Sequence, residues 1–168
     1  GTDHHRFDRL IGWVDRWAAA HPEVHVLVQH GTAAAPAHGE AVVMLGYDEL
    51  VAEMARADAV VAQGGPATIM DARSVGHRPI VVPRQGHLDE VVDDHQVAFT
   101  AWMADKGLVW PAADEDELHR QVTAEWRRWF SRRRTPRFEP RDELAATLTI
   151  QWRGGQTRGR VVDVSTTR

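Results

Sequence analysis

The chain has 168 residues, a net charge of −4, 43% hydrophobic and 26% charged residues, and no cysteine. That size and balance suit one globular domain plus a tail, with a core large enough to bury most of its apolar surface. They exclude disulfide and thiolate–metal chemistry, give no overall attraction to nucleic acid or an anionic membrane, and leave no apolar run near the roughly 20 residues of a membrane span.

Phe7, Leu10, Ile11, Val14, Trp17 and Ala18 recur at three and four residues, predicting an amphipathic helix that Pro22 ends. Val24, Val26 and Val28 alternate as a strand, and Ala41 to Leu45 reads as another. Tyr47, Leu50, Val51 and Met54 predict a short helix leading into a strand over 58–62. Val60 and Val61 lie in an apolar run that stops at Gln63-Gly64-Gly65-Pro66. Glycine permits positive φ and close approach of a ligand, and Pro66 suits a first helical turn. The helix carries Ala67 to Val75, with Gly76 as a left-handed stop and Pro79 opening a strand over 79–82. A helix over 90–105, a strand over 107–110 and a helix from about 114 complete the pattern. Strands separated by helices of this length imply an α/β fold with a parallel, Rossmann-like sheet, helices on both faces and ligands at the strands' carboxyl ends. Gly1-Thr2 reads as the exit of a first strand whose body is missing, with a partly exposed sheet edge as the expected consequence.

Residues 57–96 carry most of the chemistry. Uncapped N–H groups after a glycine turn at a strand's carboxyl end make an anion site, which points to a phosphate-bearing ligand. Asp71 lies one turn into the following helix, within reach of a diol held beside the phosphate. His95 and Gln96 open the next helix after a loop holding Gly86, His87 and Asp89. A nucleotide sugar needs this mixture: an acid for ribose hydroxyls, neutral groups for sugar hydroxyls, a helix end for diphosphate. Neither G-x-G-x-x-G nor G-x-x-x-x-G-K-[ST] occurs. A plain turn followed by a solvated Asp71 is the simpler alternative for these residues taken singly. His4, His5 and Asp8, with His30, His87 and His95, suggest a metal site, yet no H-E-x-x-H occurs. Ser74 falls inside a helix without a G-x-S-x-G elbow, which argues against a serine hydrolase.

Four stretches occur in order: Gly1-Thr2 with Phe7-Asp8-Arg9-Leu10; Gln29-His30-Gly31; Gly64-Gly65-Pro66-Ala67-Thr68 through Asp71; and Val82-Pro83 through Asp94-His95-Gln96. Together they resemble the C-terminal, donor-binding half of glycosyltransferase family 28, most closely the small donor subunits of two-subunit enzymes. The resemblance covers residues 1–125 and implies one lobe of the two-lobed GT-B architecture. It implies diphosphate and nucleoside contacts from Gly1, Thr2, Gln29, Gly31, Gly64, Gly65 and Thr68. Asp71 takes the place of a usual Glu that binds the ribose of uridine, and is one methylene shorter. His87, Asp94, His95 and Gln96 fall around the donor sugar. The implied reaction moves a sugar from UDP to a lipid-linked or polysaccharide acceptor, inverting and without metal or cofactor. The general base and acceptor half would come from a membrane-associated partner, as a heterodimer, so a cytoplasmic place at the membrane's inner face is expected. A nucleotide-sugar epimerase-like enzyme and a non-catalytic UDP-sugar-binding domain remain as alternatives.

From residue 126 the composition changes. Seven arginines fall between 127 and 141 against one acid, Glu139. This basic helix end and linker, 126–141, reads as a solvated flank or a membrane or partner contact. Residues 142–168 read as a mobile tail, with a short strand possible over Thr147 to Trp152.

Overall fold

A computed structural model describes residues 5–133 and 163–164. The elements run α1 (Asp8–Ala20), β1 (Leu27–Gln29), β2 (Glu40–Val42), α2 (Tyr47–Arg56), β3 (Val61–Gln63), α3 (Pro66–Ser74), β4 (Ile80–Val82), a 3-10 turn (Gly86–Leu88), α4 (His95–Asp105), β5 (Trp110–Pro111), α5 (Glu115–Arg133) and β6 (Asp163–Val164). Among the described residues all pairings are parallel, in the order β2-β1-β6-β3-β4-β5. The predicted α/β class and parallel sheet are therefore observed.

Strand side chains alternate between two faces, and this decides where each helix packs. Val26, Val28, Val61, Ile80 and Val82 face α1 and α5, meeting Leu10, Ile11, Val14, Trp17, Leu118 and Val122. Leu27, Val60 and Ala62 face the other way, onto Leu50 and Met54 of α2 and Ala72 of α3. Val81 meets Ile69 of α3 and Met103 of α4 on that same side. Each fully buried Leu, Ile or Val contributes about 1.5–3 kcal/mol, so the three strand centres carry much of the stability. Both faces are covered, as an all-parallel sheet requires.

Local signals place the turns. Pro66 occupies the first turn of α3, and Gly76 closes it at φ 94°. The helix predicted over 90–105 begins only at His95. Residues 86–94 are held in a loop because the Asp94 carboxylate accepts from the Gly86 amide and Glu90 accepts from the Gln85 amide. The central position between β1 and β3 is occupied by Asp163–Val164, paired with Gln29 on one side and Val61 and Ala62 on the other. Those two residues belong to the segment expected to be a mobile tail, and here they pair on both sides as the inner strand β6. Gly1, Thr2, His4, the basic stretch beyond residue 133 and the strand suggested over Thr147 to Trp152 lie outside the described residues.

One buried histidine makes the fold sensitive to acid. His77 follows α3, and its Nε2 donates to the Met54 carbonyl at 2.8 Å. Burial holds its imidazole below the usual value of 6.5, against the smaller opposing pull of that carbonyl. Below 6.5 the unfolded chain takes up a proton that the folded chain refuses, so stability is present above this pH and is lost as pH falls. Thermal unfolding at about pH 7.5 and about pH 5.5 should show a drop that is smaller in His77→Gln. An equal drop in both proteins would remove His77 as the cause.

Candidate functional site

The carboxyl ends of β1, β3 and β4 converge on a cluster of buried amides. Gln29 ends β1, is fully buried, and accepts from the Leu45 amide at 2.7 Å through Oε1. Its Nε2 has no partner among the described residues. Gly31 follows at φ 57°, a conformation that glycine adopts without strain. Gln63 ends β3, and its Oε1 accepts from Gln96 Nε2 at 3.0 Å and Arg84 Nε at 3.1 Å. Gln96 in turn accepts from the Arg84 amide at 3.2 Å. Gln96 is thus turned inward, tying the start of α4 to the ends of β3 and β4.

The turn before α3 is built against this cluster. A Cβ on Gly64 would lie 2.9 Å from Gln96 Cβ, 3.0 Å from its carbonyl oxygen and 2.8 Å from Thr100 Oγ1. Only a glycine lets α3 start this close to α4. Gly65 is the N-cap of α3 in extended conformation and provides no side-chain cap. Pro66 has no N–H, so the amides of Ala67 and Thr68 lead the helix, with Thr68 buried. Asp71 stands partly exposed farther along α3, where its Oδ1 accepts from the Tyr47 hydroxyl at 3.1 Å.

The loop after β4 forms the other wall. His87, Asp94 and His95 are exposed along it, and Asp89 takes a left-handed conformation, φ 57°. Asp93 accepts from the His95 amide at 2.9 Å and also pairs with its ring Nδ1. Those bonds, the amide's first, hold the Asp93 carboxyl below the usual carboxylate range. The Arg9 guanidinium locks the loop onto α1, reaching Glu90 at 2.7 and 2.8 Å and the Pro83 carbonyl at 2.9 Å. Arg84, 2% exposed, lies over the Phe7 ring and donates to the His5 and Glu90 carbonyls. Asp8 accepts from the Ala34 amide at 3.0 Å and fixes the loop after β1.

Of the predicted residues that are described, Gln29, Gly31, Gly64, Gly65, Thr68, Asp71, His87, Asp94, His95 and Gln96 all lie at this one edge of the sheet. No cluster of three or more His, Asp or Glu side chains suited to a metal occurs among the described residues. Two clefts of about 650 and 550 Å³ open at the opposite edge and contain none of these residues. Gln63, Arg84, Glu90 and Tyr47 complete the site and were not anticipated as site residues; only Gln63, directly before the glycine pair, carried a local signal.

Residues 5–128 match the model of the glycosyltransferase family 28 C-terminal domain. The chain belongs to this family. Curated family 28 relatives include the UDP-N-acetylglucosamine–N-acetylmuramyl-(pentapeptide) pyrophosphoryl-undecaprenol N-acetylglucosamine transferases of Burkholderia orbicola and Burkholderia cenocepacia. Each is 32% identical over 110 residues, which is 65% of this chain and 29% of the relative. The corresponding enzyme of Verminephrobacter eiseniae is 33% identical over 63 residues, 38% of this chain and 16% of the relative. The family 28 chain therefore spans less than a third of the length of these relatives. No solved structure matches it.

Proposed function

We propose that this chain is the donor-binding half of a glycosyltransferase that moves a sugar from UDP to a lipid-linked or polysaccharide acceptor. The observation that carries the reading is the uncapped start of α3 beside Asp71, at the carboxyl edge of the sheet, in a family 28 domain. The names of the relatives supply a UDP-sugar donor and a pyrophosphoryl-undecaprenol acceptor.

Each part of the site has work in this reaction. The diphosphate of UDP lies at the α3 N-terminus, met by the amides of Ala67 and Thr68, with Gly64 and Gly65 allowing the approach. As the glycosidic bond breaks, charge grows on the departing diphosphate. The helix dipole stabilises that charge by about 0.3–1 kcal/mol, and by up to about 2 kcal/mol where water is excluded. Asp71 accepts from the ribose hydroxyls. His87, Asp94 and His95 face the donor sugar, while Gln96, with Gln63 and Arg84, keeps the turn in place. Gln29 and Gly31 line the cleft from β1. The transfer inverts the anomeric carbon and uses no metal, and the general base comes from an acceptor-binding half.

That half docks over the same edge. Val43, Met44, Met70, Leu88 and Val92 are 62%, 50%, 57%, 46% and 83% exposed, and all lie in loops or early helix turns following strands. Apolar side chains exposed in segments that leave the strands' carboxyl ends suit a covering partner. No helix among the described residues is long and apolar enough to cross a membrane. Placement at the membrane's inner face would accordingly come from the acceptor half or from the arginines of 126–141.

Calorimetric titration of the full chain with UDP tests the reading, with ADP and NAD as controls. Binding of UDP in preference to both supports a uridine-specific donor site. Equal binding of ADP, or no UDP binding by a folded chain, overturns it.

A further inference from the structure

We infer that Tyr47 is a positioning residue of the nucleoside pocket, holding the Asp71 carboxylate in the orientation that receives the ribose. The inference rests on the donor-site reading above and adds a residue from a different helix to it.

Tyr47 is the first residue of α2, and Asp71 lies on α3, the helix that starts at the glycine turn. Both helices follow strands, so both begin at the carboxyl edge. The Tyr47 hydroxyl donates to Asp71 Oδ1 at 3.1 Å, while Oδ2 has no hydrogen-bond partner among the described residues. An aspartate on an exposed helix face samples several rotamers, and its short side chain leaves little tolerance in where its oxygens fall. A donor on a neighbouring helix selects one rotamer before the ligand arrives, so less ordering is required on binding. It also leaves Oδ2, and the second lone pair of Oδ1, open to vicinal hydroxyls.

The packing supports a functional rather than a stabilising contact. Tyr47 is 43% exposed, so its ring adds little to the core. Leu50 and Met54, farther along α2, already anchor that helix in the apolar cluster beneath. The hydroxyl bond links the first residue of α2 to the Asp71 side chain on α3, beside the proposed nucleoside position.

A double-mutant cycle on the full chain tests this by calorimetry with UDP and with 2′,3′-dideoxy-UDP. Tyr47→Phe keeps the ring and removes the bond. It should weaken UDP binding roughly three- to tenfold, the size of having to order one side chain on binding. The loss should vanish with 2′,3′-dideoxy-UDP, and also when Tyr47→Phe is placed on Asp71→Ala. A merely structural tyrosine would lower affinity for both nucleotides alike. Equal losses with both nucleotides, a loss that persists on Asp71→Ala, or no loss in Tyr47→Phe overturns the inference and leaves the donor-site reading intact. Failure of the unmodified chain to bind UDP overturns both.

Discussion

Glu90→Ala should cost about 3–5 kcal/mol of folding stability, because it breaks a buried ion pair. Glu90 is 7% exposed at its side chain and receives both arms of Arg9, itself 17% exposed. It also accepts from the Gln85 amide at 3.0 Å. Removing the carboxylate leaves a guanidinium buried beside the Phe7 and Trp13 rings with no countercharge from this loop. Glu90→Gln should cost less, because the amide still accepts from Gln85. Replacing both partners with apolar residues of similar volume should recover much of the loss, since an intact buried pair repays little beyond its own desolvation. Urea unfolding of the three variants measures these differences. A change within about 1 kcal/mol for Glu90→Ala would mean that water reaches the pair in solution. The same substitution should loosen the 83–94 loop and, through it, the wall that carries His87, Asp94 and His95.

Asp71→Ala should leave folding almost untouched and weaken UDP binding from about tenfold to more than a hundredfold. The estimate follows from a charge-assisted hydrogen bond worth about 1.5–3 kcal/mol. The Asp71 side chain is partly exposed and bonds to the hydroxyl of an exposed tyrosine, so its contribution to stability should stay within about 0.5 kcal/mol. Asp71→Glu should be tolerated, since the longer side chain offers the same acceptor. Equal affinity of the unmodified chain and Asp71→Ala would remove the residue from the ribose contact. Parallel melting curves would show that any loss of affinity is local.

The alternation of strands and helices was legible because each element carries its own period. Phe7 to Ala18 repeats as a helix, and Val60-Val61 ahead of Gly64-Gly65-Pro66 announces a strand, a turn and a helix start within one short stretch. The same local grammar placed Asp71 and the His95-Gln96 pair at one edge of the sheet. The bonds that hold the edge together left no such trace. Arg9 and Glu90 are 81 residues apart, and Gln63 and Gln96 are 33 apart. No periodicity links positions joined only by the fold. Gln96 shows the consequence: its place at the start of α4 was readable, but its inward orientation depends on the amide of Arg84 and the side chain of Gln63. α4 is shorter than its sequence pattern suggests for a related reason. The carboxylates of Glu90 and Asp94 capture backbone amides and hold 86–94 out of the helix.

The strand at the middle of the sheet governs the order in which the molecule can assemble. Val61 and Asp163 are direct neighbours across the ladder although about a hundred residues of chain lie between them. β2-β1 on one side and β3-β4-β5 on the other join strands close in sequence, so each half can form early from local contacts. Their union waits for a distant segment to close a long loop and slide between two already paired edges. Gln29 and Gln63 stand on opposite sides of that seam. Ligand-binding competence should therefore be acquired last, in a single slow step, after most of the helical signal has already developed.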